Sequence, residues 1–188
     1  MRSGRIRAAT PADAAAIAHL QTASWRAAYR DVLSDAYLDS DIDTERLLLW
    51  SECLNTPAPH QHVALAERNG RAVGFACAYG AYDARWGTLL ENLHVADEAK
   101  RQGIGAGLMA HVAAWSLQAH PALGLYLWVI VSNAPARRFY QRLGAIDAGE
   151  DVWLPPDGGS VPKLRYVWPN PATLLQFGCG FEAQRPCQ

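Results

Sequence analysis

No stretch of this sequence approaches the roughly 20 uninterrupted apolar residues that a membrane-spanning helix needs, so a membrane partner is not expected. The first residues, Met1-Arg2-Ser3-Gly4-Arg5, lead into an alternating segment and not into the apolar run of a secretory signal. An excess of charge of one sign is missing too: 17 Lys+Arg stand against 18 Asp+Glu, for a net charge of −1. Without a basic field the chain lacks the electrostatic term that dominates phosphate-backbone binding, so nucleic acid is not expected as a partner. Cysteine is sparse and unpatterned. Cys53, Cys77, Cys179 and Cys187 form no C-x-x-C, which argues against a zinc ribbon or a disulfide framework and suits reduced thiols in a cytoplasmic protein. His60 and His62 lie near Cys53, but no ligand quartet accompanies them and no metal is expected. Walker A and G-x-S-x-G motifs are both missing, as are repeats and low-complexity linkers.

What remains is a chain of 188 residues, half of them hydrophobic and seven of them Trp, enough for one ordinary core. The reading is a single domain over residues 1–168 with an irregular tail over 169–188. Residues 5–8 alternate like a strand, and Thr10-Pro11 opens a helix over about 11–29. A second helical run covers 45–54. Two apolar runs, 62–67 and 72–79, flank Asn69-Gly70, the dipeptide suited to a hairpin turn with positive φ. Strands at 89–95 and 125–131 bracket a long helix over 103–119, a short helix covers 135–143, and strands at 145–154 and 161–168 form a last hairpin. The fold class is therefore α/β with a mixed, mostly antiparallel sheet and helices on its faces, and the strands at 89–95 and 125–131 can be parallel neighbours.

The stretch from Leu93 to Leu108 carries the first chemical signal. A strand runs through Leu93, His94 and Val95 into the polar loop Lys100-Arg101-Gln102-Gly103-Ile104-Gly105-Ala106, which opens a helix. Free N–H groups and the positive helix end then converge on one place, an anion cradle, where Gly103 and Gly105 admit a ligand without a Cβ and Lys100 and Arg101 add charge. Asn133-Ala134-Pro135-Ala136-Arg137-Arg138-Phe139-Tyr140-Gln141-Arg142-Leu143-Gly144-Ala145 follows 28 residues after Gly105.

This second stretch resembles the N-x-x-A-x-x-F-Y-x-x-x-G-F/A signature of the GNAT superfamily of N-acetyltransferases, and the loop from Lys100 to Gly105 looks like that family's Q/R-x-x-G-x-G/A motif. Lys100 stands where Arg or Gln is usual, and Ala145 where Phe is common. The resemblance implies acetyl-CoA as cosubstrate, its pyrophosphate on the main-chain amides of the loop from Lys100 to Ala106. The pantetheine arm would run along Leu93, His94 and Val95 in a splay between the two bracketing strands, assisted by Asn133 and Ala136. Arg137 or Arg138 would meet the 3′-phosphate. Tyr140 would lie near the sulfur as general acid, the Val95 amide would serve the oxyanion, and Glu91 would be the base. His94 and Asp83 are the runners-up for that role. Strict alternation puts Glu91, Leu93 and Val95 on one face and Asn92 and His94 on the other, so Glu91 needs a bulge or an open edge to act.

The implied activity is direct acetyl transfer to a primary amine of a small molecule or peptide. A reading from another class is a CoA-binding or sensor domain that keeps the cradle without turnover. Trp25, Tyr29 and Tyr37 fall on the segment that lines the acceptor cleft in this family. Six acids and no bases occupy 31–45, which favours a cationic acceptor. A homodimer could form through the C-terminal hairpin and tail.

Overall fold

The computed structural model describes residues 4–178 and the backbone of 182–183. Among the described residues eight strands form one sheet. In chain order these are β1 (Gly4–Ala8), β2 (Gln61–Arg68), β3 (Arg71–Asp83), β4 (Gly87–Val95), β5 (Leu125–Ile130), β6 (Ile146–Trp153), β7 (Val161–Trp168) and β8 (Glu182–Ala183). Their spatial order is β6-β7-β5-β4-β3-β2-β1-β8. β4 and β5 pair in parallel, as do β1 and β8, and the other ladders are antiparallel. The turn between β2 and β3 is Asn69-Gly70, both at positive φ (52° and 73°), the conformation that matches the twist of a two-residue hairpin.

Helices cover both faces. On one face lie α1 (Ala14–Ala28), the single-turn α2 (Asp35–Leu38) and α3 (Ile42–Asn55). Ile17 and Leu20 of α1 and Trp50 of α3 pack there with Val63, Leu65 and Phe75. On the other face, α4 (Ile104–Ala119) buries Ile104, Leu108, Met109 and Val112, joined by Tyr140 and Leu143 from the region of α5 (Ala134–Arg142). Fully burying one such aliphatic side chain is worth about 1.5–3 kcal/mol, so these two apolar seams fix which side of the sheet each helix takes.

Several boundaries differ from the sequence reading: α3 already begins at Ile42, β3 runs on to Asp83, and the single-turn α2 has no counterpart in that reading. α1 begins at Ala14, because Pro11–Asp13 winds as a 3-10 turn in which Asp13 accepts from Thr10 N (2.7 Å) and from Arg7 (2.7 and 2.8 Å). Local hydrogen bonding at the turn outcompetes the α ladder. The tail is not irregular throughout: Pro171–Gly178 is a 3-10 helix whose Leu174 is buried in the same core as α4. A short Pro-containing segment carries too weak a period to announce this packing. Cys179 and Cys187 lie outside the described residues.

Candidate active site

β4 and β5 are bonded only at Thr88↔Leu125, Leu89↔Tyr126 and Leu90↔Leu127, after which they part. The gap opens a cavity of about 300 Å3 lined by both strands, by Ser24 and Trp25 of α1 and its C-cap Tyr29, and by Asn133, Ala136, Tyr140, Trp153 and Lys163. The main chain of β4 serves this gap in alternation. Ala96 N bonds Val73 O of β3 (2.9 Å), so one residue earlier the Val95 N–H turns away from β3 and toward the gap, and that of Leu93 does the same.

The pairing of β4 with β3 steps from Ala78↔Leu90 to Cys77↔Asn92, leaving Glu91 as the extra residue of a β-bulge. This corrects the strict alternation. Leu90, Leu93 and Val95 face the α4 core, whereas Asn92 bonds Gln21 of α1 and His94 bonds Ser24 of α1. Glu91 thus joins Asn92 and His94 on the α1 side, at the mouth of the gap. Its side chain reaches solvent in the cleft but is ringed by protein, and this desolvation raises its pKa, with Lys163 opposing. His94 is a poor rival as base: burial and then Lys100 push it down to about 4, and its Nδ1 is engaged with Ser24 Oγ at 2.9 Å. Asp83 is spent elsewhere, its Oδ1 accepting from the N–H groups of Arg85 and Trp86 in the turn to β4.

Tyr140 approaches the gap from the α4 side. Its ring is held edge-on by Phe139, Tyr166 and Trp168 at 5.1, 6.5 and 6.1 Å, and it lines the cavity. Its hydroxyl has no hydrogen-bond partner among the described residues. Burial, and then Tyr29, raise the phenol pKa, so it stays protonated at neutral pH. Asn133 caps α5, its Oδ1 accepting from Ala136 N at 3.1 Å. The amide Nδ2 is left over, on a residue that lines the cavity.

At the start of α4, Gly103 is the N-cap with φ 82°, and Gly107 N returns to Gly103 O at 2.9 Å. Ile104, Gly105 and Ala106 therefore carry the orphan N–H groups of the first turn. A Cβ on Gly103 would meet nothing within 4 Å, so that residue faces open space. Gly105 differs from the expectation. A Cβ there would lie 3.2 Å from Phe139 Cζ, so its missing side chain lets α4 approach α5 and its only contribution to a cradle is its N–H. The loop's charges are also partly committed: Lys100 pairs with Asp97, Gln102 donates to Glu98 O (2.8 Å) and accepts from Arg68, and Arg101 is exposed at φ 59°. Arg137 turns inward to Val131 O (3.1 Å), while Arg138 is exposed.

The acidic segment is not an open field. Asp35 and Asp39 pair with Arg30, Asp43 with Arg26, and Glu45 with Arg46, from bases just outside the segment. None of its acids lines the cavity, and of the three aromatics assigned to the cleft only Trp25 and Tyr29 do; Tyr37 packs beside Leu33, Leu38 and Ile42. Lys163, Trp128 and Trp153 line the cavity without any local sequence signal, since strands distant in sequence bring them there. Among the described residues no cluster of His, Cys, Asp or Glu could hold a metal ion, and no helix is long and apolar enough to cross a membrane.

Comparison with known proteins bears on the family and the fold. The model of the acetyltransferase (GNAT) family matches residues 16–145. A Mycobacterium tuberculosis protein described as "Probable N-acetyltransferase" is 30% identical over 167 residues, covering 86% of this chain and 91% of that one. A Bacillus subtilis protein described as "Uncharacterized N-acetyltransferase" is 30% identical over 176 residues, covering 90% and 95%. Among solved structures, a GCN5-related N-acetyltransferase from Rhodopseudomonas palustris superposes with TM-score 0.70 at 20% identity, over 89% of this chain and 96% of that one. The PaiA N-acetyltransferase of Thermoplasma acidophilum, solved with coenzyme A, superposes with TM-score 0.65 at 18% identity, over 88% and 99%. At these identities the two structures bear on the fold alone.

Proposed function

Since the chain belongs to the acetyltransferase (GNAT) family, and so is an acetyl-CoA-dependent acyltransferase, we propose that it moves the acetyl group directly onto a primary amine held between α1 and the bulge of β4. The acceptor in this reading is a small molecule or a peptide amine. The observation that carries the proposal is the opposed arrangement across the gap: a partly desolvated carboxylate, Glu91, on the α1 side and an unpartnered phenol, Tyr140, on the α4 side.

The residues present fit the donor. Open space at Gly103 beside three orphan N–H groups suits a pyrophosphate, and the unpaired edge of β4 at Leu93 and Val95 suits a strand-like amide chain such as pantetheine. Asn133 Nδ2 and the exposed Arg138 are the further groups assigned to it. When bound, acetyl-CoA supplies the activated acetyl thioester. Glu91 takes the proton of the acceptor's ammonium, through water where the span requires it, because an amine of pKa about 10.4 is mostly protonated at neutral pH. The Val95 N–H, directed at the gap, offers a fixed dipole to developing negative charge on an oxygen. Tyr140 Oη holds a proton for the departing sulfur, and Trp25, Tyr29 and Trp153 narrow the access of water on the α1 side.

The test is thiol release from acetyl-CoA against polyamines, aminoglycosides, amino acids and N-terminal peptides, with product mass to locate the acetyl group. Acetylation of an amine, lost in Glu91→Gln with acetyl-CoA affinity kept, is the expected result. Tight acetyl-CoA binding with no amine consumed would favour the sensor reading instead.

A further inference from the structure

Behind the bulge runs a chain of three hydrogen-bonding side chains, the first two of them buried. Trp50 Nε1 bonds Gln21 Oε1 at 2.7 Å, and Gln21 Nε2 bonds Asn92 Oδ1 at 3.0 Å. Trp50 and Gln21 are 2% and 3% exposed, so water cannot substitute for either partner. The direction of this chain is not free. An indole nitrogen can only donate, so Gln21 must turn its carbonyl oxygen to Trp50 and its amino group to Asn92. Asn92 must then accept through Oδ1, which leaves its Nδ2 as the outward atom.

Asn92 Nδ2 has no partner among the described residues and is not enclosed, while Asn92 itself lines the cavity. The neighbouring residue on the same face is Glu91, whose Cα is about 3.8 Å away along the chain. The α1 side of the gap therefore offers a base and, beside it, an N–H donor whose polarity is set from the core.

We infer that Asn92 is a specificity residue that selects acceptor amines carrying a hydrogen-bond-accepting oxygen two or three bonds from the nitrogen, as in an α-amino carbonyl, and that Gln21 and Trp50 are positioning residues that set its polarity. This rests on the transferase reading above and deepens it. A donor fixed by a chain from the core cannot rotate to serve an acceptor that presents a second ammonium there, because the flip would set Asn92 Nδ2 against Gln21 Nε2. A site built to donate favours substrates that accept, since the alternative leaves its polar group unpaired.

The experiment measures kcat/KM at fixed acetyl-CoA for glycinamide, propylamine and 1,2-diaminoethane in the full chain. Asn92→Ala should lower the glycinamide value about three- to tenfold and leave propylamine within about twofold, as loss of one neutral hydrogen bond implies. Asn92→Asp, which offers only acceptor atoms, should raise 1,2-diaminoethane relative to glycinamide by at least about tenfold against wild type. Trp50→Phe, which touches no acceptor but frees Gln21 to flip, should erode the glycinamide preference several-fold with acetyl-CoA affinity unchanged, a split that mere loss of packing would not produce. Thermal melting and acetyl-CoA calorimetry identify variants that fail to fold. Equal losses on glycinamide and propylamine in Asn92→Ala would assign the amide to the acetyl group and overturn the inference. Unchanged ratios in both Asn92→Asp and Trp50→Phe would overturn it as well. If no amine is acetylated by wild type, the transferase reading itself falls, and this one with it.

Discussion

Replacing Tyr140 by Phe deletes one oxygen from a ring whose surroundings are otherwise fixed. The ring's edge-on contacts with Phe139, Tyr166 and Trp168 do not involve the hydroxyl, and the hydroxyl has no partner to leave unsatisfied. The stability change should stay within about 0.5 kcal/mol, which for a domain of this size moves the thermal midpoint by no more than about 2 °C. The rate should respond very differently. A positioned general acid is worth roughly 10²–10⁴ in rate, or about 3–5 kcal/mol of activation free energy, and burial holds the proton on this phenol at neutral pH. We therefore expect Tyr140→Phe to keep acetyl-CoA affinity within a few-fold and to lose kcat by at least about a hundredfold, because the interaction belongs to the transition state. Saturating thiol-release kinetics beside acetyl-CoA calorimetry separate the two quantities, and a pre-steady-state trace establishes that chemistry limits turnover. Wild-type kcat under that condition would refute the assignment and leave the phenol as packing for Trp168 and Tyr166.

Glu91→Gln should abolish the rising limb of the kcat/KM profile that remains after the amine's own ionisation is accounted for; Lys163 lowers the Glu91 pKa, so Lys163→Met should move that limb to higher pH. Gly103→Ala should cost about 1–2 kcal/mol in chemical denaturation through its φ of 82° alone, since no atom lies in the way, whereas Gly105→Val should destabilise by displacing Phe139, so that only N–H-directed readouts such as acetyl-CoA affinity at matched stability speak to the cradle. His62, stacked against His111 and Trp115 at 5.3 and 4.8 Å, is pushed down to about 4 by burial and then by His111. Its unfolded value is about 6.5, so the fold binds the proton less well than the unfolded chain, and stability should fall by roughly 3 kcal/mol as pH drops from 6.5 to 4. His62→Phe should flatten that part of the pH-stability curve measured by denaturant titration; an unchanged slope would mean that the imidazole is already protonated in the folded state.

Most of the element order and both candidate loops are legible from local information alone. Asn69-Gly70 can turn a hairpin, Asn133 can cap a helix, and the glycine-bearing loop before α4 leaves orphan N–H groups wherever the chain goes, because these are properties of a few adjacent residues. The family signature is likewise a matter of spacing along the chain, and Tyr140 belongs to it. Three things were decided only by the tertiary structure. Whether Glu91 faces Leu93 or Asn92 depends on one skipped pairing between β3 and β4, and a single inserted residue reverses every side chain before it relative to those after it. Whether an acidic run is a field or a set of ion pairs depends on where Arg26, Arg30 and Arg46 fold back, which no count of acids reveals. The polarity of Asn92 is determined by an indole N–H two side chains away, from residues 21 and 50, because a hydrogen-bond direction passes through contacts made in space and not through sequence neighbours.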